Sequence, residues 1–159
     1  METTLFYPAQ TQSGFKSINK DGIIETSSGV SGHIFHTVTT SYLTEGILFH
    51  AWLGYRTDEE LKEVLEKILY PILVENKCYK VLVDTSLVEG SFDGANDWLA
   101  DYYMPKIITA GLRLHGMVLP ADLYASLALE LYQENNVKNG FDNRMFPSVE
   151  AAYAWLKTV

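Results

Sequence analysis

The run Tyr79-Lys80-Val81-Leu82-Val83 constrains this chain more than any other. It is apolar and β-branched with almost no polar interruption, and it stops abruptly at Asp84-Thr85-Ser86. Such a run reads as a strand covered on both faces, the central position of a parallel sheet. The residues from Leu87 to Asp93 read as its exit loop, with Gly90 as the permissive residue. A helix is expected from about Gly94 to Ala110. In open α/β sheets, ligands and partners meet the protein beyond the carboxyl ends of the strands. The stretch from Asp84 to Asp97 is therefore the first place to look for function.

The flanking sequence supplies elements to cover this strand. Thr57-Asp58-Glu59-Glu60 has the form of a capping box, with three acidic residues suited to the positive end of a helix. Leu61, Val64, Leu65, Ile68, Leu69, Ile72 and Leu73 then repeat at helical spacing, and Pro71 is expected to kink or end that helix. Pro105 is expected to interrupt the next one. Leu112 to Leu119 reads as a strand. Pro120-Ala121-Asp122 opens a helix with Leu123, Leu127, Ala128 and Leu131 on one face. Arg144-Met145-Phe146 reads as a short last strand, and Ser148 caps a final helix that groups Ala152, Trp155, Leu156 and Val159. Before the first helix, Ile34–Tyr42 and Ile47–Trp52 read as an antiparallel hairpin turned at Leu43–Gly46.

The expected fold class is α/β: a mostly parallel central sheet with an antiparallel N-terminal hairpin edge and about four helices. Residues 1–30 read as a poorly determined N-terminal extension, with Gly22–Thr26 as a short strand, and residues 31–159 as one domain. A homodimer through the hairpin edge would satisfy its unpaired backbone groups.

Composition narrows the function classes. The chain has 159 residues, 47% of them hydrophobic and 20% charged, which is ordinary for one domain able to bury a core. Its formal charge is −8, from 12 Lys+Arg against 20 Asp+Glu. That balance, without a basic cluster, disfavours nucleic acid and anionic membrane surfaces as partners. Cys78 is the single cysteine, so no intrachain disulfide forms, and its place before a strand suits a packing residue. No apolar run approaches a membrane span, and the N-terminus has no signal-peptide pattern. A cytoplasmic location and no cofactor are expected.

Catalytic signatures are absent from the sequence pattern. Gly90-Ser91-Phe92-Asp93-Gly94 places its serine one position too early for a nucleophile elbow, and no phosphate-binding loop occurs. His33 and His36 are three apart, but on a strand that spacing points them to opposite faces, so no metal site is expected. His50 and His115 fall in core strands, where a hydrogen-bonded, partly buried imidazole is the expectation. Asp84 has two readings: a general base with a raised pKa, or an acceptor for backbone N–H groups of the turn that follows. With no partner acid or nucleophile in view, the structural role is expected. Trp52, Trp98 and Tyr102, with Tyr103, either line a ligand groove or pack in the core.

Four segments together resemble the bacterial STAS-like family, related in fold to anti-sigma factor antagonists and to CRAL-TRIO lipid-transfer domains. They are Trp52-Leu53-Gly54-Tyr55-Arg56-Thr57 before the capped helix; Val81-Leu82-Val83-Asp84-Thr85 followed by Asp97-Trp98-Leu99; Ala110-Gly111-Leu112 before a strand ending Val118-Leu119-Pro120; and Phe146-Pro147-Ser148-Val149-Glu150-Ala151-Ala152 closing on Trp155-Leu156. The resemblance spans about Ile34 to Val159. It implies a sheet with packed helices and a non-enzymatic, regulatory role. In anti-sigma factor antagonists a serine at the start of the helix after the central strand is phosphorylated by a partner kinase. The usual Asp-Ser-Ser-Gly is absent here; Ser91 is the nearest hydroxyl and Ser86 the second.

Three function classes follow. The first is a protein-interaction module using Asp84, Thr85, Ser86, Ser91, Phe92, Asp93 and Asp97 as its surface, with Ser91 as the candidate phosphosite and an unidentified protein as partner. The second is a carrier of a small apolar or lipid ligand, using Trp52, Trp98 and Tyr102. The third is an enzyme using Asp84 or a histidine.

Overall fold

In the computed structural model, which describes residues 3–6 and 13–158, one eight-stranded sheet follows the order of the chain. Its strands are β1 (Thr3–Phe6), β2 (Lys16–Lys20), β3 (Ile23–Ser27), β4 (Ile34–Thr39), β5 (Ile47–Gly54), β6 (Lys80–Val88), β7 (Leu114–Val118) and β8 (Asp142–Phe146). Strands β1 to β5 pair antiparallel, and β5 to β8 pair parallel. Helix α1 (residues 58–75) joins β5 to β6, α2 (93–109) joins β6 to β7, and α3 (Leu123–Asn136) joins β7 to β8. Helix α4 (Val149–Lys157) follows β8.

Right-handed crossovers that always step to the next strand put successive helices on one face. Accordingly α1, α2 and α3 share a core with Leu48, Val81, Val83 and Met117. Helix α4 folds back on the opposite face, where Ala152 and Leu156 meet Ile47, Leu82, Leu114 and Val118. The ammonium of Lys80, buried at the start of β6, donates to the Leu156 carbonyl in the last turn of α4. A cation there meets the negative end of the helix dipole.

The expected α/β class and the central place of β6 hold, but the strand layout differs from the sequence reading. β4 and β5 do pair antiparallel, yet they are joined by a 3-10 segment, Thr40–Glu45, closed by Gly46 in the left-handed conformation. That hairpin is not an edge, because β3 pairs with β4 on its other side. The ground for a dimer through that edge disappears with it. The short strand expected at Gly22–Thr26 is β3, and with β2 it belongs to the sheet instead of to an extension outside it. Their signal is weak because part of their inward face is polar: Ser17 and Thr26 are buried and share a hydroxyl hydrogen bond of 2.7 Å.

Neither proline ends its helix. Proline lacks an N–H and its ring crowds the carbonyl four residues back, which is Lys67 for Pro71 and Asp101 for Pro105. Both carbonyls lie in π turns, Leu65–Leu69 in α1 and Leu99–Tyr103 in α2. There the N–H of Tyr70 reaches Leu65 O and that of Met104 reaches Leu99 O, so each helix widens and runs on.

The expected face of α3 is also corrected. Leu123 and Leu127 are 67% and 51% exposed, while Ala125, Ala128, Leu129 and Tyr132 are buried. The helix packs Ala125, Ala128, Leu129 and Tyr132 inward, and Asn96 of α2 donates to the Ala128 carbonyl at 3.1 Å.

The capping box of α1 forms as its sequence requires. Thr57 Oγ1 accepts from the Glu60 N–H at 3.0 Å, and Glu60 Oε1 accepts from the Thr57 N–H at 2.9 Å. Replacement Thr57→Ala is expected to lower stability by about 1 kcal/mol, and Thr57→Ser to keep most of it. Urea denaturation of both variants measures this; equal stability of Thr57→Ala and wild type would refute the role.

Candidate functional site

Side chains alternate along a strand, so β5, β6 and β7 present Leu48, His50 and Trp52, then Val81, Val83 and Thr85, then His115 and Met117, to the face under α1–α3. Leu61 and Leu65 of α1, Leu99, Tyr103, Met104 and Ile107 of α2, and Tyr132 of α3 roof them. Between these layers lies a partly open cavity of about 80 Å³. Arg56, Val88 and Phe92 line it from the carboxyl end of the sheet. Both π turns contribute to the lining, through Leu65 on α1 and Leu99 and Tyr103 on α2. Such turns recur at functional sites.

Few polar groups reach this apolar space. His36 Nε2 and His50 Nδ1 lie 3.0 Å apart, both rings buried, and the His36 ring lies tilted against Trp52 with ring centroids 4.3 Å apart. His36 Nδ1 has no hydrogen-bond partner. An orphaned N–H is rarer in proteins than an orphaned acceptor, which assigns the shared proton to His36 Nε2. His50 Nε2 then carries a proton, on a ring that lines the cavity. His115 is reversed. Its Nδ1 donates to Asn143 Oδ1 at 3.0 Å, so its Nε2 is an acceptor. Burial lowers the pKa of His36 to about 3 and that of His115 to about 4, and lowers His50 well below its ordinary value, with His36 and His115 adding to that effect. All three are neutral at pH 7. Burial also pushes the hydroxyls of Tyr103 and Tyr132 upward, so both stay protonated.

Arg56 is the charged group of the lining. It is 2% exposed, its Nη1 donates to Glu89 O at 2.9 Å and its Nη2 to Ser91 O at 2.8 Å, and its guanidinium carbon lies 5.9 Å from the centre of the Phe92 ring. Burial lowers its pKa, against the opposing pull of Asp58, Tyr55, Glu60 and Asp122. The exit loop of β6 is thus held from beneath by a side chain that enters α1.

The residues singled out from the sequence divide. Asp84 Oδ1 accepts from the Ser86 N–H at 2.9 Å; both residues lie within β6, so this bond is inside the strand and not in the exit turn expected there. Thr85 is buried and donates to the Val118 carbonyl, because β6 runs on to Val88 rather than ending at Asp84; it is not part of a surface. Ser86 is half-buried. Ser91, Asp93 and Asp97 are exposed, and Ser91 Oγ accepts from the Asp93 N–H at 3.0 Å. Phe92 is half-buried and lines the cavity.

Trp52, Trp98 and Tyr102 do not form one groove. Trp52 lines the cavity, whereas Trp98 stacks on Tyr103 at 5.6 Å and Tyr102 lies 44% exposed beside Lys106. Cys78 is buried and its thiol is pushed up to about 11, as fits a packing residue. Among the described residues no cluster of three or more His, Cys, Asp or Glu side chains could hold a metal ion, and no helix is long and apolar enough to cross a membrane.

No protein-family model matches this chain, and neither a curated protein nor a solved structure matches it significantly. The arrangement itself offers a small, mostly apolar space whose lining includes two imidazoles, one guanidinium and the hydroxyl-bearing Thr85, Tyr103 and Tyr132. Neither His50 nor His115 is hydrogen-bonded to a hydroxyl, thiol or carboxylate among the described residues.

The histidines set a pH dependence. Their folded pKa values lie below the unfolded value near 6.5, so their contribution is complete above that pH. It is lost as pH falls toward 4, where the unfolded chain binds protons that the folded chain refuses. Each adds up to about 1.4 kcal/mol of lost stability per pH unit in that window. Urea midpoints at pH 7, 6 and 5 are expected to fall steeply, and less steeply in His115→Gln; identical midpoints would contradict the burial of neutral imidazoles.

Proposed function

We propose that this protein is a non-enzymatic STAS-like binding module whose cavity between the sheet and α1–α3 takes a small, largely apolar ligand. The observation that carries this is the cavity itself. Protein interiors are close-packed, and this space sits where two helices widen by π turns and where the few polar side chains converge. Its lining, mostly apolar with a few placed polar groups, is that of a ligand pocket, at a volume well below the usual few hundred Å³. Asp84, the best candidate for an enzyme, spends one oxygen on a backbone N–H. The alternation of strands and helices, and the segments that resemble the STAS-like family, support the same class.

A second reading, the regulatory module meeting a protein partner through the β6 exit loop, is favoured by the exposure of Ser91 beside Asp93 and Asp97. A phosphate on Ser91 would add about −1.5 to −2 charges next to those carboxylates and Glu89. Arg56 holds the carbonyls of both Glu89 and Ser91, so occupancy of the cavity and the shape of that loop share one side chain.

The ligand reading predicts that toluene, a neutral probe, raises the melting temperature and shifts the methyl resonances of Val83, Met104 and Met117. Saturation at a hundredfold excess over the dissociation constant corresponds to about 2.7 kcal/mol of added stability. Unmoved methyl resonances with toluene, together with a clean apo mass for gently purified protein, would reject the cavity as a site. For the second reading, intact-mass analysis of protein taken from its host is expected to show one phosphate that Ser91→Ala removes; unmodified protein throughout would remove the phosphoswitch.

A further inference from the structure

We propose that the cavity's ligand is a monocarboxylic acid with a compact apolar body, its carboxylate held by Arg56. This rests on the cavity being a binding site, and names what it binds.

A buried charge is costly unless it is paired. Arg56 is 2% exposed, and among the described residues no carboxylate lies within ion-pair distance of it. The two backbone carbonyls satisfy part of its hydrogen-bonding capacity without neutralising it. None of the acids around it forms an ion pair with it among the described residues. Glu60 gives one oxygen to the Thr57 N–H and the other to the Ser28 hydroxyl at 2.8 Å. Asp122 Oδ1 accepts from the Ala125 N–H at 2.9 Å as the cap of α3. Asp58 lies against Gly94, so close that a Cβ there would fall 2.1 Å from its Oδ2.

The guanidinium therefore keeps unused N–H donors in a fixed fork, already oriented by the Glu89 and Ser91 carbonyls. That fork suits a carboxylate. The same residue lines a space shared with Leu61, Val88 and Phe92. A head that needs a cation and a body that needs apolar surface are thus specified by adjoining groups. One cation serves the site, in a chain of charge −8, with Asp58, Glu60 and Asp122 near enough to act on Arg56 electrostatically. A second negative charge on the ligand would meet repulsion from those acids, which selects a monoanion over a phosphate.

The test is an NMR and calorimetric titration of the full chain at pH 7. The probes are butyrate, hexanoate and benzoate; their neutral counterparts butanol, hexanol and benzyl alcohol; and inorganic phosphate. Hexanoate or benzoate is expected to bind at least about tenfold tighter than its neutral counterpart, to shift the Arg56 Nε–H resonance, and to outcompete phosphate. Arg56→Gln is expected to reduce the acid-to-neutral ratio to about one while toluene binding persists. If Arg56→Gln fails to fold, the ratio in the wild-type protein decides alone. Neutral probes binding as tightly as the acids would overturn the carboxylate and leave the cavity standing. Phosphate binding as tightly as hexanoate would overturn the apolar body. Failure of acids, alcohols and toluene alike would overturn the site itself.

Discussion

Everything in this molecule follows from the need to cover β6 on both faces. Val81 and Val83 turn one way and Leu82 the other, and each set demands its own layer. The crossover helices α1, α2 and α3 cannot divide themselves between the faces, because the parallel strands advance in one direction and right-handed crossovers all fall on the same side. The second face is therefore left to whatever follows the last strand. Helix α4 fills it, and the buried ammonium of Lys80 ties its last turn to β6. One strand thus decides where four helices go.

Placing three helices on one face has a consequence for packing. Two of them carry a proline in mid-helix, and each accommodates it with a π turn in the preceding residues. The widened turns bring Leu65, Leu99 and Tyr103 over β5 and β6, and the layers there do not close completely. Three polar groups in that region are held by defined partners: His50 by His36, His115 by Asn143, Arg56 by two carbonyls. They are oriented, as recognition requires, and the imidazoles are uncharged. Arg56 is the exception that retains its charge, and its two hydrogen bonds join the cavity to the exit loop of β6.

How much of this was legible in the sequence depends on the kind of signal. The capping box at Thr57, the cap at Ser148 and the apolar run of β6 are local patterns, and local patterns survived. Strand β3 was legible as the short run Gly22–Thr26, whereas β2 did not announce itself, because hydroxyls occupy inward positions where an apolar alternation would be expected. Of the expected face Leu123, Leu127, Ala128 and Leu131 in α3, only Ala128 is buried; Ala125, Leu129 and Tyr132 fill the rest of the inward side, and Asn96 of α2 bonds the Ala128 carbonyl there. The candidate site fared least well. Phe92 and Trp52 do line the cavity, but Thr85 faces inward and Trp98 and Tyr102 lie elsewhere on α2. The His36–His50 contact depends on the register that sets Val38 opposite His50, a pairing no spacing in the chain encodes.

The sequence by itself determined the α/β class, the central strand and the helix caps, because each is written in neighbouring residues and paid for locally by hydrogen bonds and side-chain alternation. Only the tertiary structure decided which face of α3 is buried, that the prolines are absorbed by π turns, and that Arg56 lies beneath the loop from Glu89 to Ser91. Those outcomes depend on distances between elements far apart in the chain, where close packing and the cost of burying an unpaired polar group choose among arrangements that the linear pattern leaves equal.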